Sequence, residues 1–200
     1  MVDSSASPAS SAPNALARNQ AARRRRVIDA ALRLAESGGF DAVQMRDVAA
    51  EADVALGTVY RYFSSKERLL LEGMVEQIDA LADRLEAKPP TGATASARIV
   101  DVIARATSAL QRHPEVTKAM LRAFGSAQPT EADVVRQITA GMTAIITAAI
   151  HEGAPTPRDL AVTRVLQQVW FAALIGWVGG VDEPARVTSD LEAAGRLLLD

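Results

Sequence analysis

The groups in this 200-residue chain that could do chemistry allow few combinations. It has no cysteine, hence no thiolate nucleophile, no disulfide framework and no Cys-based zinc site. Its two histidines, His113 and His151, stand far apart in sequence without clustered Asp or Glu, so no metal is expected. Gly38-Gly39 and Gly179-Gly180 lack phosphate-loop spacing and read as helix caps, so no cofactor is expected either. No nucleophile–base pair or workable carboxylate pair stands out, which argues against an enzyme. What remains is recognition chemistry. Between Gln44 and Lys66 a hydroxyl (Thr58), two phenols (Tyr60 and Tyr62) and a guanidinium (Arg61) share a short stretch with Leu56 and the side-chain-free Gly57. Such donors, apolar contacts and an approachable backbone suit base edges in a DNA major groove.

These side chains need a rigid frame, and the sequence around them supplies one. Arg46 to Phe63 reads as a short amphipathic helix with Val48, Ala49 and Ala52 inward, a tight turn at Asp53-Val54, and a second helix opening at Ala55. Two helices crossing steeply over so short a turn need a small residue at the crossing and apolar anchors beside it. Ala49, Val54, Val59 and Phe63 fill those places. Leu56, Gly57, Thr58, Tyr60, Arg61 and Tyr62 then point outward. Phe63 reads as a core aromatic; Tyr60 and Tyr62 read as DNA contacts, with a core role as the alternative. Arg46 and Lys66 stand at helix starts, where free backbone N–H groups favour phosphate.

Apolar residues recur at helical spacing almost everywhere, and no stretch alternates as a strand does, so the fold should be all-α. Expected helices run from about Ala21 to Ser37, Met45 to Ala52, Ala55 to Tyr62, a start capped by Ser64 with Glu67 to Leu85, Ala95 to Arg112, Pro114 to Phe124, Glu131 to Glu152, Arg158 to Gly179 and Val187 to Leu199. That makes nine. Residues 1–17 are expected to be a disordered tail, 18–68 a helix-turn-helix DNA-binding domain, and 69–200 a ligand-binding and dimerisation domain. The apolar run Val165 to Val181 is interrupted by Gln167, Gln168, Gly176, Gly179 and Gly180 and reads as a buried helix rather than a membrane span.

Charge is distributed to match. The whole chain carries −2, but residues 14–68 hold ten Arg or Lys against seven Asp or Glu, while 69–200 hold twelve against sixteen. The basic front includes Arg18 and the run Arg23 to Arg26. Cations at a helix start oppose its dipole, so either ordinary solvation or DNA contact must compensate; Arg25 is taken as the representative DNA contact. The absence of cysteine agrees with a reducing cytoplasm.

Arg25 to Leu71, with Gly38-Gly39-Phe40, Arg46-Asp47-Val48-Ala49, Gly57-Thr58-Val59-Tyr60-Arg61-Tyr62-Phe63 and Ser65-Lys66-Glu67, resembles the TetR family of bacterial repressors. Asp53 and Ala55 depart from it where Gly and Ser are commoner, which puts one N-cap contact in question. Within the family, Gln44-Met45-Arg46, Tyr60 to Phe63 and Val165 to Trp170 are similar to repressors of sterol-catabolism genes in mycobacteria and their relatives. The resemblance implies a nine-helix fold and a homodimer formed by the last two helices, with Trp177, Leu191 and Leu198 as anchors. It also implies an operator of double-stranded DNA and an apolar small-molecule inducer such as a steroid-derived acyl-CoA. Gln44, Arg46, Ala55, Leu56, Gly57, Thr58, Tyr60, Arg61, Tyr62, Lys66 and Arg25 would meet DNA. The apolar stripes after residue 69 read first as core. The family's inducer cavity would draw Met120, Phe124, Met142, Ile146, Gln167, Trp170 and Leu174 from them, with Arg122 and Gln168 orienting the polar end. A DNA-binding regulator without an inducer, or an all-α acyl-ligand carrier or enzyme, are the alternatives.

Overall fold

A computed structural model describes residues 12–151 and 153–199, with side chains from residue 17 onward. Among them lie nine α-helices and no strand: α1 Ala12–Ala42, α2 Met45–Glu51, α3 Leu56–Tyr62, α4 Lys66–Ala87, α5 Ala95–Gln111, α6 Pro114–Gly125, α7 Ala132–Ile150, α8 Pro157–Val178 and α9 Pro184–Leu199. A single 3-10 turn, Pro129–Glu131, leads into α7. The expected all-α, nine-helix fold is met. Helix α1 begins at Ala12, upstream of the expected Ala21, and so takes up the end of the stretch read as a tail. Residues 1–11 of that stretch lie outside the described residues.

Local chemistry accounts for the boundaries. Gly39 takes φ 67°, which L side chains rarely adopt, and with Gly38 it breaks the helical geometry of α1 before a short segment to Ala42. Helix α4 is capped by Ser65 rather than Ser64. Ser65 has the extended backbone a cap needs, and its Oγ accepts from the Arg68 N–H at 3.0 Å. Thr94 caps α5, and Thr156 with Asp159 forms a capping box on α8. Pro114 and Pro157 occupy first turns, where a missing N–H costs nothing. Arg98 of α5 donates to the carbonyls of Ala149 and Ile150 at 2.8 and 2.7 Å and so satisfies the end of α7.

One main core runs from α1 to α9 through Val27, Ile28, Phe63, Leu69, Leu70, Leu71, Ile99, Ile103, Met120, Ile146, Leu166 and Leu191, all essentially without exposure. Helix α6 packs along α1, α4 crosses both α6 and α7, and α9 packs on α5 and α8. The crossing near Gly73 is close: a Cβ there would meet Leu32 Cδ2 at 3.2 Å and Met120 Cε at 3.4 Å. Helix α8 is half-buried, not fully buried as its apolar run suggested. Val162, Leu166 and Leu174 face inward, while Leu160, Val165 and Ile175 stand exposed among Arg164 and Gln168.

Candidate nucleic-acid interface and ligand cavity

Val48, Ala49 and Ala52 of the first helix and Val59 and Phe63 of the second are buried against one another, as the crossing required. The turn between them is closed by the Val54 N–H donating to the Ala49 carbonyl at 3.0 Å. Asp53 sits there with φ 52°, the one positive φ outside glycine among the described residues. That explains why glycine suits this position: Asp must occupy the left-handed region at a cost of about 1 kcal/mol. Ala55 is the N-cap of α3 and makes no side-chain cap bond, so the missing contact flagged by the sequence is missing in fact.

The outward face is as the sequence required, with one difference. Leu56, Gly57, Tyr60 and Arg61 are exposed and Thr58 half-exposed, whereas Tyr62 is half-buried, its ring against Phe63 and under the Arg61 guanidinium at 5.3 Å. Gly57 is informative because a Cβ there would meet nothing within 4 Å. Packing gives no reason for glycine at this second residue of α3. Gln44 and Arg46 are exposed beside α2, with the Gln44 amide donating to the Asp41 carbonyl at 2.9 Å.

Two predicted phosphate contacts are already engaged elsewhere. Lys66 Nζ lies 4.1 Å from the Phe40 ring centroid and donates to the Phe40 carbonyl at 3.3 Å, bracing α4 against the α1–α2 connection. Arg25 is exposed, but its Nε stands 3.7 Å from Glu76 of α4. Arg24 pairs with Glu72 and Glu76 and lies over the Phe63 ring at 5.4 Å. Burial holds the Glu76 carboxyl above the usual carboxylate range, against the pull of Arg25 and Arg24. Arg18, Arg23 and Arg26 face solvent on α1.

Behind this unit, helices α1, α4, α5, α6, α7 and α8 surround a half-open cavity of about 580 Å³. That volume is ordinary for a small-molecule site. Met120, Phe124, Met142, Gln167, Trp170 and Leu174 line it as expected, and so does Gln168. Inside, Trp170 Nε1 donates to Thr107 Oγ1 at 3.2 Å, and the Phe124 and Phe171 rings lie tilted with centroids 5.3 Å apart. The Gln167 amide donates to Thr143 Oγ1 of α7 at 3.0 Å.

Ile146 is a correction: it is fully buried in the main core and does not reach the cavity, because the wall formed by α7 ends with Met142. Arg122 is another. It turns away from the cavity, donates to Asp41 Oδ2 at 2.9 Å and lies over the Phe40 ring at 4.3 Å. The charges at the cavity come instead from Arg25, Asp29 and Glu76, of which Arg25 and Glu76 face each other, and from Arg84, Arg112 and Arg164, which are solvent-facing and form no ion pair among the described residues. Arg164 stands one helical turn before Gln167 and Gln168, a spacing readable in the sequence. Arg84 and Arg112 belong to other helices and gave no such signal.

One of the expected dimer anchors also needs revision. Leu191 is buried to zero exposure within its own chain, where Val187, Leu191 and Gly195 face inward from α9, so it cannot meet a partner. Trp177 and Leu198 are half-buried against the chain's own clusters. The apolar side chains facing out of the last two helices are Leu160, Val165, Ile175 and Leu197.

The chain matches two family models in turn: bacterial regulatory proteins, tetR family, over residues 27–72, and tetracyclin repressor-like, C-terminal domain, over residues 92–198. It is 39% identical over 180 residues to the HTH-type transcriptional repressor KstR of Rhodococcus jostii (strain RHA1), covering 90% of this chain and 84% of that protein. To KstR of Mycobacterium tuberculosis (strain ATCC 25618 / H37Rv) it is 35% identical, covering 90% of this chain and 82% of that protein. A TetR transcriptional regulator from Rhodococcus sp. RHA1, solved by crystallography, superposes with a TM-score of 0.84 at 32% identity, over 90% of this chain and 97% of that one. The fold, at 21% identity, is also that of the transcriptional regulator FadR from Bacillus subtilis in complex with stearoyl-CoA, with a TM-score of 0.65 over 88% of this chain and 97% of that one. With its crossing helices, outward α3 face and interhelical cavity, the chain belongs to the TetR family of bacterial regulatory proteins.

Proposed function

We propose that this protein is a homodimeric transcriptional repressor, released from a pseudo-palindromic operator by a large apolar molecule with an anionic end. A steroid-derived acyl-CoA is the favoured class. The observation that carries this reading is the coexistence of an exposed, glycine-bearing α3 face with a mostly apolar cavity at which Arg84, Arg112 and Arg164 form no ion pair among the described residues. Apolar walls with a few polar groups suit a hydrophobic body held by one polar end. Guanidinium groups suit phosphate and carboxylate. The similarity to the transcriptional repressor KstR supports repression, the resemblance of Gln44 to Arg46, Tyr60 to Phe63 and Val165 to Trp170 to sterol-catabolism repressors supports a steroid body, and the stearoyl-CoA bound to the FadR neighbour supports a thioester.

Residues 18–68 read DNA and 69–200 bind ligand and partner, in the cytoplasm. The partner contact is through the outward faces of α8 and α9, with Leu160, Val165, Ile175 and Leu197 as its apolar centre. Two-fold symmetry then offers two α3 helices to half-sites about 34–36 Å, or a multiple of that, apart. A ligand favouring a displaced α4 moves the reading units off that spacing, so DNA and ligand compete without touching.

A gel shift on the promoter upstream of the gene itself tests the reading, repeated with steroid acyl-CoAs, fatty acyl-CoAs and aromatic drugs. Release by the steroid thioesters is expected. Retention with every steroid thioester rejects the sterol assignment, and failure to bind any DNA rejects the regulator.

A further inference from the structure

The starts of α4 and α7 are joined by polar contacts that belong to neither the DNA face nor the cavity. Glu131, only 5% exposed, accepts from Ser65 Oγ through Oε1 at 3.1 Å and from the Gln128 N–H through Oε2 at 2.6 Å. Two residues on, Asp133 takes a two-pronged contact from Arg68, at 2.7 Å from Nη1 and 2.8 Å from Nη2. Arg68 Nε also donates to Glu72 at 3.0 Å, Glu72 pairs with Arg24, and Arg24 lies over Phe63, the last anchor of the reading unit. A continuous line of charge therefore runs from α7 to the end of α3. The Arg68 guanidinium holds the Asp133 carboxyl below the usual carboxylate range, in keeping with that geometry.

Both joined helices also wall the cavity, α4 through Gly73 to Arg84 and α7 through Ile138, Thr139 and Met142. Ser65, Arg68, Glu131 and Asp133 do not line it. A body that wedges α4 from α7 inside the cavity must strain the contacts at their shared end. Two-pronged Arg–carboxylate contacts are geometrically selective, so a small displacement costs them more than it costs apolar packing. Exposed ion pairs add little to global stability, so a role in fold maintenance does not account for this one.

We infer that the Ser65–Glu131 and Arg68–Asp133 contacts form a latch that holds α4, and through Arg24 the end of α3, in the operator-competent pose, and that ligand acts by opening it. These are positioning residues, and the inference rests on the reading above in which operator and ligand bind competitively.

The test uses the full chain. Asp133→Asn removes the charge at an exposed side chain and leaves the fold intact; Asp133→Glu restores it; Arg68→Gln cuts both links. Asp133→Asn is expected to weaken operator binding and tighten binding of a steroid acyl-CoA, with a change of about fivefold in at least one of the two, because shifting the pose equilibrium moves the two affinities in opposite directions. Asp133→Glu returns towards wild type, and melting temperatures stay close throughout. A third arm needs neither ligand nor DNA. In the cysteine-free chain, spin labels at Ala50→Cys on α2 and Gln137→Cys on α7, diluted with unlabelled protein, report the distance between the two regions. Asp133→Asn should broaden that distribution.

Unchanged operator affinity with an unchanged label distribution overturns the latch, as do operator and ligand affinities that fall together. Wild-type protein that binds no DNA overturns the function instead, while the label measurement still decides whether the contacts hold the pose.

Discussion

The reading unit and the cavity are built on opposite plans. The reading unit is mostly local: its outward face lies between Gln44 and Lys66, and Val48, Ala49, Ala52, Val59 and Phe63 are buried in one continuous core with Val27, Ile28 and Ala31 of α1. The cavity is assembled from six helices, and its core is left incomplete by about 580 Å³. One region must be rigid to match a fixed operator; the other must keep room for a guest. The difference teaches where substitutions act. In the first, shape is lost when an anchor goes; in the second, function is lost when the gap is filled.

Removing an anchor should have the largest effect. Phe63→Ala deletes a fully buried ring that also supports Arg24, and the expected loss is about 3–5 kcal/mol of stability by denaturant unfolding, with operator binding abolished. Next comes filling the gap. Met142→Trp places bulk in the cavity wall, so ligand affinity should fall at least about tenfold, or about 1.4 kcal/mol, while operator binding persists and no longer responds to ligand. If both plans were alike, Met142→Trp would damage operator binding as much as Phe63→Ala does.

Within the reading face, Tyr60→Ala or Arg61→Ala should cost about 1–3 kcal/mol on the operator and relax its sequence preference, measured on a panel of single-base variants. Lys66→Ala should weaken every sequence about equally and also lower the melting temperature, because Lys66 braces Phe40. Ala55→Ser should raise stability by about 1 kcal/mol through the absent cap bond.

The smallest effect lies far from both regions. Burial pushes the Asp101 carboxyl up, but hydrogen bonds from Thr91 and Arg105 outweigh it and hold it below the usual range. A folded-state value below the unfolded one contributes stability that is full above the ordinary Asp range and lost as pH falls through the lowered value. Asp101→Asn should therefore cost under about 1 kcal/mol at pH 7 and flatten the acid limb of the stability profile.

The same contrast governs what could be read from the residues. The crossing at Ala49, the turn at Asp53 and the uncapped Ala55 were legible because each depends on neighbours a few positions away. The charges at the cavity were only partly so: Arg164 shares a helix face with Gln167 and Gln168, whereas Arg25, Asp29, Glu76, Arg84 and Arg112 come to the same cavity only once separate parts of the chain pack. Ile146 and Met142 lie on one helical stripe with the same apolar character, and periodicity cannot tell a core wall from a cavity wall. Leu191 shows the companion limit. An apolar stripe announces an inward face, but only packing decides whether inward means the chain's own α5 or another chain. Ser64 and Ser65 show the finest grain, since both offer a hydroxyl and the backbone angle at Ser65 chose between them.

In the proposed mechanism operator and ligand compete through the protein without meeting. The most direct measurement is the affinity of a steroid acyl-CoA by titration calorimetry, first for the free dimer and then for the dimer saturated with operator. The account requires the affinity to fall, by the same factor by which the ligand weakens operator binding. An unchanged ligand affinity on operator-bound protein would contradict it.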